Sequence, residues 1–250
     1  MALQEEMESQ GNYLFKHRGT FPIIILVLGF VVFLQTEMQR TPVAADQTDY
    51  QNIYMYSCLL VALFGLYIRI YTVGHTPANT SGRNTEGQLA DVLNTSGIYS
   101  TVRHPLYVGN FFMWLGVAML TANAWFIIAF IFIYWVYYER IMFAEEQFLR
   151  KKFGTIYTNW ASRTPAFIPS FGQFLKPNLP FSWKKVLKKE KNGLAAVFML
   201  FFFFYAAGQY VKDEKIDNVF WIYGCIGSIV LYLILKYLKK YTKVFEEDGR

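Results

Sequence analysis

Apolar residues in this chain fall in long blocks, not in strict alternation. Six blocks approach the roughly 20 residues that an α-helix needs to cross a hydrocarbon core: about 21–37, 53–73, 105–122, 124–143, 193–211 and 219–238. The pattern predicts an all-α polytopic membrane protein with about six transmembrane helices. The first block has a short apolar core, Phe21 to Leu34, behind Lys16 and Arg18. A signal peptide can look like this, but Gln35-Thr36-Glu37-Met38 lacks the small-residue cleavage pattern, so the block is read as a retained helix. Only Thr121-Ala122-Asn123-Ala124 separates the third block from the fourth, which predicts a tight antiparallel hairpin over about 105–143. That hairpin brings two polar ends, 97–109 and 139–157, to the same side of the membrane.

The remaining segments divide the chain. Residues 1–20 form a polar N-terminal segment ending in an aromatic and basic interfacial stretch, and 21–170 form the membrane core with its candidate site at 97–169. Residues 171–192 are a Lys-rich, Pro-interrupted linker, and 193–250 hold two C-terminal helices and a basic tail. Gln88 to Leu93 is compatible with a short helix, and 153–169 is too polar to span and too aromatic to be loose, so it should form a lid at the interface.

Composition changes this picture little: 54% of residues are hydrophobic and 17% charged. The formal net charge of +6 matters more for its distribution. Nearly all Lys and Arg fall in the N-terminal segment, 74–104, 144–192 and the tail, so the positive-inside rule places both termini in the cytoplasm. The charge is therefore a topology signal; no basic face interleaved with stacking aromatics suggests nucleic acid. Cys58 and Cys225 lie inside apolar blocks, and His17, His75 and His104 have no metal-ligand spacing, so no metal site is expected.

Candidate chemistry concentrates in Gly97-Ile98-Tyr99-Ser100-Thr101-Val102-Arg103-His104-Pro105-Leu106-Tyr107-Val108-Gly109. Pro105 has a fixed φ and no N–H, which suits the first position of a helix. The amides and positive dipole end of that helix, with Tyr99, Arg103 and His104, would suit an anionic group on a small molecule. At the other polar end, Glu139 and Glu146 are seven residues apart and share a helix face with Glu145 close by. Carboxylates at a membrane edge that face a bundle mark functional sites. Arg69 lies near the inner end of the second block, where it can snorkel or join the site. The stretch Thr76 to Thr85, with Gly82 and Arg83, packs donors that suit phosphate, and reads equally as a solvated linker.

Arg103-His104-Pro105-Leu106-Tyr107-Val108-Gly109, followed by Glu145-Glu146 and then by Phe153-Gly154, Tyr157 and Arg163-Thr164-Pro165, resembles the isoprenylcysteine carboxyl methyltransferase and phospholipid methyltransferase superfamily of integral-membrane enzymes. The resemblance covers roughly 94–170. It implies an S-adenosylmethionine-dependent methyltransferase with a cytoplasmic cofactor site, acting on a lipidic acceptor. Carried over residue by residue, it implies cofactor contacts from Tyr99, Arg103, His104, Pro105, Tyr107, Glu145, Glu146 and Tyr157. The sulfonium would face an aromatic ring such as Tyr107, Trp114 or Tyr157. Thr80 to Thr85 and Leu93-Asn94-Thr95 further resemble a bacterial branch that methylates a lipid A phosphate, which implies acceptor roles for Arg83 and Arg163. A prenylcysteine carboxylate or a phospholipid amine is the alternative acceptor. Outside the class stand an NADPH-dependent membrane reductase and a non-enzymatic transporter or scaffold; the chain is short for the first and shows no internal repeat for the second.

Overall fold

The computed structural model describes residues 2–39, 48–78, 80, 88–247 and 249. Seven α-helices carry the fold, in the order α1 (Leu3–Lys16), α2 (Phe21–Gln39), α3 (Thr48–Gly74), α4 (Pro105–Met119), α5 (Ala124–Ala161), α6 (Trp183–Val211) and α7 (Val219–Tyr241). Five of them, α2, α3, α5, α6 and α7, are long and apolar enough to cross a membrane, which makes this a multi-pass integral membrane protein.

The sixth predicted span is shorter than expected. α4 has 15 residues, about 22 Å at 1.5 Å per residue against a core of about 30 Å. It stops at Met119 because Leu120 to Asn123 must reverse the chain: Ala122 takes a positive φ of 48°. Asn123 then caps α5 through its side chain, which accepts from the Phe126 amide at 3.0 Å. The tight hairpin is present as predicted. His104, the residue before α4, meets α5 at Glu145 and Glu146, roughly 30 Å along α5 from its first residue, about the thickness of a hydrocarbon core.

Its partner α5 errs the other way. At 38 residues it is about 57 Å long, so it passes well beyond the predicted end at 143 and carries Glu145 and Glu146 out of the bundle. It bends at Gly154, whose φ of 54° and ψ of −126° suit no L side chain. The chain then returns: the Arg103 and His104 amides donate to the carbonyls of Pro165 and Ala166 at 2.9 and 3.2 Å, and the Ser170 amide to Thr101 at 2.9 Å. This is the cover that the aromatic 153–169 stretch suggested.

α3 and α4 form the most extensive helix pair. Small residues allow it: a Cβ on Gly65 would lie 2.4 Å from the Gly109 carbonyl oxygen, and one on Gly116 2.5 Å from that of Cys58. Close backbone approach of this kind is how helices associate where lipid removes the hydrophobic drive. Around the seam, Phe33, Leu59, Phe201, Phe204 and Trp221 build one apolar cluster, while Phe15, Tyr107, Tyr134, Tyr138 and Ile141 build another under α1.

Two segments read as connections do more than connect. α1 lies across α5, with Gly11 so close that a Cβ would meet the Arg140 carbonyl oxygen at 2.1 Å. α6 starts at Trp183, capped by Ser182, so ten residues assigned to the basic linker are helix. Lys185, Glu190 and Lys191 are buried there. The tail folds back on this region, with Glu247 accepting from the Ser182 hydroxyl. Residues 88–96 are irregular in place of the expected short helix, and Leu89 and Val92 have no face to bury.

Candidate functional site

A cavity of about 420 Å³ opens where α3, α4, α5 and α6 end and where α1 and residues 88–94 cover them. Tyr99, Arg103, His104, Pro105, Tyr107 and Glu145 all line it. Pro105 is the first residue of α4, and His104 before it lies outside the helical region at φ −120° and ψ 59°, in keeping with proline's bias against the α region in the residue it follows. The His104 carbonyl accepts from the Tyr107 and Val108 amides at 3.1 and 3.2 Å, so the helix end expected to bind an anion through those amides uses them internally. Leu106, whose amide makes neither bond, lines the cavity.

The hairpin sets the charges. His104 stands between the two carboxylates, with Nε2 at 2.9 Å from Glu146 Oε1 and Nδ1 at 3.5 Å from Glu145 Oε2. Burial opposes charge on the imidazole, but hydrogen bonds to Glu145 and Glu146 and their negative charge outweigh it, so the His104 pKa lies above its ordinary value. Arg103 reaches the same Glu146 oxygen at 3.1 Å and donates to the Ala161 carbonyl at 3.1 Å. Tyr107 donates to Glu145 at 2.6 Å, and Tyr134 to the Tyr107 carbonyl at 2.7 Å. Trp160, beyond the bend in α5, donates to the Tyr99 carbonyl at 3.1 Å. Burial raises the Tyr99 hydroxyl above its usual range and keeps it neutral.

The two adjacent glutamates therefore differ. Glu145 faces the cavity, whereas Glu146 stands outside the lining and holds Arg103 and His104 in place. Tyr157 is fully buried, its ring 5.8 Å from that of Trp160, and also stands outside the lining. Glu139 is half exposed and paired with its neighbour Arg140. Trp114 packs into both apolar clusters and not against the cavity. Of the two acceptor candidates, Arg163 is exposed and outside the lining, and Arg83 falls outside the described residues.

A second charged group was not legible as such. Arg69 makes a two-pronged contact with Glu190, Nε to Oε2 at 2.8 Å and Nη2 to Oε1 at 2.7 Å, and its Nη1 donates to Asn110 at 2.6 Å. All three residues line the cavity. Arginine inside an apolar block was a signal; Glu190, hidden in a lysine run, was not. The linker assigned to 171–192 included it, and from within α6 it contributes an acid to the site.

Most of the cavity's lining falls in the segment that the phospholipid methyltransferase family model matches, residues 53–156. Protein-S-isoprenylcysteine O-methyltransferase of Saccharomyces cerevisiae is 32% identical over 45% of this chain and 47% of its own length. That of Schizosaccharomyces pombe is 32% identical over 47% and 50%. Over this segment the chain is similar to the integral-membrane methyltransferase superfamily. Cobalt-zinc-cadmium resistance protein CzcN of Cupriavidus metallidurans is 30% identical over 63% of this chain and 66% of its own length. The chain spans about half the length of the two yeast relatives and just under two thirds of the bacterial one. No solved structure matches it. The match covers most of α3, all of α4 and most of α5, while α1 and α6, which also line the cavity, lie outside it.

Proposed function

We propose that the protein is an S-adenosylmethionine-dependent methyltransferase acting on a lipidic acceptor at the membrane surface. The observation that carries this reading is the convergence of Tyr99, Arg103, His104, Tyr107 and Glu145 on one cavity at the edge of the hydrocarbon core. The residues fit the cofactor. A cavity of about 420 Å³ falls in the range of roughly 300–1,000 Å³ usual for small-molecule sites. It offers cations and an amide for a carboxylate, Glu145 for an ammonium or hydroxyl group, and Tyr99, Tyr138, Phe148 and Trp160 for flat or cationic groups.

Bound there, the cofactor would supply an electrophilic methyl group on a sulfonium. The chain's part is to hold and exclude. Glu146 orients Arg103 and His104, Tyr107 orients Glu145, and the returning segment fixes the 101–104 backbone through the Arg103, His104 and Ser170 amides. Such fixed geometry is the main source of acceleration in a transfer that needs no proton relay through the protein.

For the acceptor we favour a lipid-linked carboxylate of the prenylcysteine type, on the printed activity of the yeast relatives. A lipid phosphate rested on Arg83 and Arg163, and Arg163 does not reach the cavity. The lysine-rich end of the bundle, with both termini, is assigned to the cytoplasm, where the cofactor is made.

Calorimetric titration of detergent-purified protein with S-adenosylhomocysteine, with NADPH in parallel, tests the class. Micromolar binding of the first alone is expected, and binding of NADPH alone would move the chain to the reductases. Transfer of labelled methyl to N-acetyl-farnesylcysteine, and not to lipid A or phosphatidylethanolamine, is the result expected for the acceptor.

A further inference from the structure

Between the bend in α5 and the start of α6, the chain presents large apolar side chains that nothing in the fold covers. Ile168 is 75% exposed, Phe171 76%, Phe174 50% and Leu175 58%. They belong to a segment with a single 3₁₀ turn, Phe171–Gln173. Phe171 opens this turn and Phe174 directly follows it. Lys176 and Lys184 flank them and are exposed.

The depth of this segment is set by its hydrogen bonds. The Gly97 amide donates to Leu175 and the Ser170 amide to Thr101, both at 2.9 Å, and the Leu175 amide donates to the Ser100 hydroxyl at 2.8 Å. Residues 97–104 lead directly into α4, and His104 meets Glu145 and Glu146 on α5, roughly 30 Å along that helix from its first residue, about the thickness of a hydrocarbon core. The segment is thus pinned at the level of the lipid headgroups. Apolar rings beside lysines at that level are the pattern of a surface that dips into an interface and draws anionic headgroups.

We propose that residues 168–176, with Lys184, form an interfacial anchor that inserts Phe171 and Phe174 among the lipids and binds anionic headgroups through Lys176 and Lys184. The inference does not depend on the reaction assigned above. Its consequence is that the 97–104 backbone, which carries Arg103 and His104, is held at a fixed height against the membrane. A water-facing protein partner is the other occupant that such a patch could take, and charge together with depth argues for lipid.

The test uses a nitroxide at Phe171→Cys, with Leu175→Cys as a second site and Lys152→Cys on α5 as the water-exposed control. Cys58 and Cys225 are buried, so labelling is directed to the introduced thiol. In vesicles of phosphatidylcholine with one third phosphatidylglycerol, the labels at 171 and 175 should resist a water-soluble relaxant at least fivefold better than the label at 152. Exposure at both positions equal to the control would overturn the anchor and leave a protein-facing patch. Enrichment of phosphatidylglycerol around the protein should fall about fivefold for each of Lys176→Gln and Lys184→Gln, the equivalent of about 1 kcal/mol per lysine. Shielded labels with unchanged enrichment would overturn the headgroup assignment.

Discussion

The two carboxylates on either side of His104 favour its charged form against the opposing effect of burial, and that has a cost outside the acidic range. A group whose pKa is raised on folding contributes stability that is complete below its unfolded value, about 6.5 for histidine, and lost as pH rises through the folded value. Thermal melts in detergent should therefore show the wild type losing stability above about pH 6.5, and His104→Asn should flatten that slope. A wild-type slope that survives the substitution would assign it to another group. The glutamates offer a sharper separation. Glu146→Gln removes the shared partner of Arg103 and His104, an interaction of about 1.5–3 kcal/mol for a charged hydrogen bond, so affinity for S-adenosylhomocysteine should fall at least tenfold. Glu139→Gln should change it less than twofold, since Glu139 pairs with its neighbour Arg140 and stands outside the cavity lining. Spacing along α5 put Glu139 and Glu146 on one face. It could not show which of them the α4 end would meet, because that depends on how the hairpin is rotated.

Among the elements, the α4–α5 hairpin was legible because a four-residue connection between two apolar blocks leaves no other geometry. The lengths were not: composition marks where a helix can lie in lipid, and α5 continues past lipid because α1 packs against it. The bend at Gly154 then decides where the cover falls. With nothing within 4 Å of a Cβ there, Gly154→Ala meets only backbone strain, about 1–2 kcal/mol. The expected result is a modest drop in melting temperature with faster proteolysis between 162 and 170, as the bonds from Trp160 to Tyr99 and from Arg103 to Pro165 loosen. Unchanged proteolysis would mean that the returning segment holds its place without the bend.

At the scale of the whole molecule, α6 closes one side of the site through Lys189 and Glu190. Arg69 and Glu190 come from helices 121 residues apart in sequence and meet as a buried pair. Removing one member of such a pair typically costs about 3–5 kcal/mol, whereas replacing both with apolar residues is often neutral. Glu190→Met should therefore lower the melting temperature strongly, and Arg69→Met with Glu190→Met should recover most of the loss; additive losses in that double-mutant cycle would show that the pair is not coupled. By itself the sequence determined the membrane class, the hairpin and the motif that points to the superfamily. Each of these follows from local composition or from spacing along one or two helices. The tertiary structure alone decided that Glu145 faces the cavity while Glu146 stands behind it, that Glu190 answers Arg69, and that α1 covers the site. Helices in a bundle find their neighbours through side-chain shape and burial across the membrane plane, and no period along the chain records that lateral order.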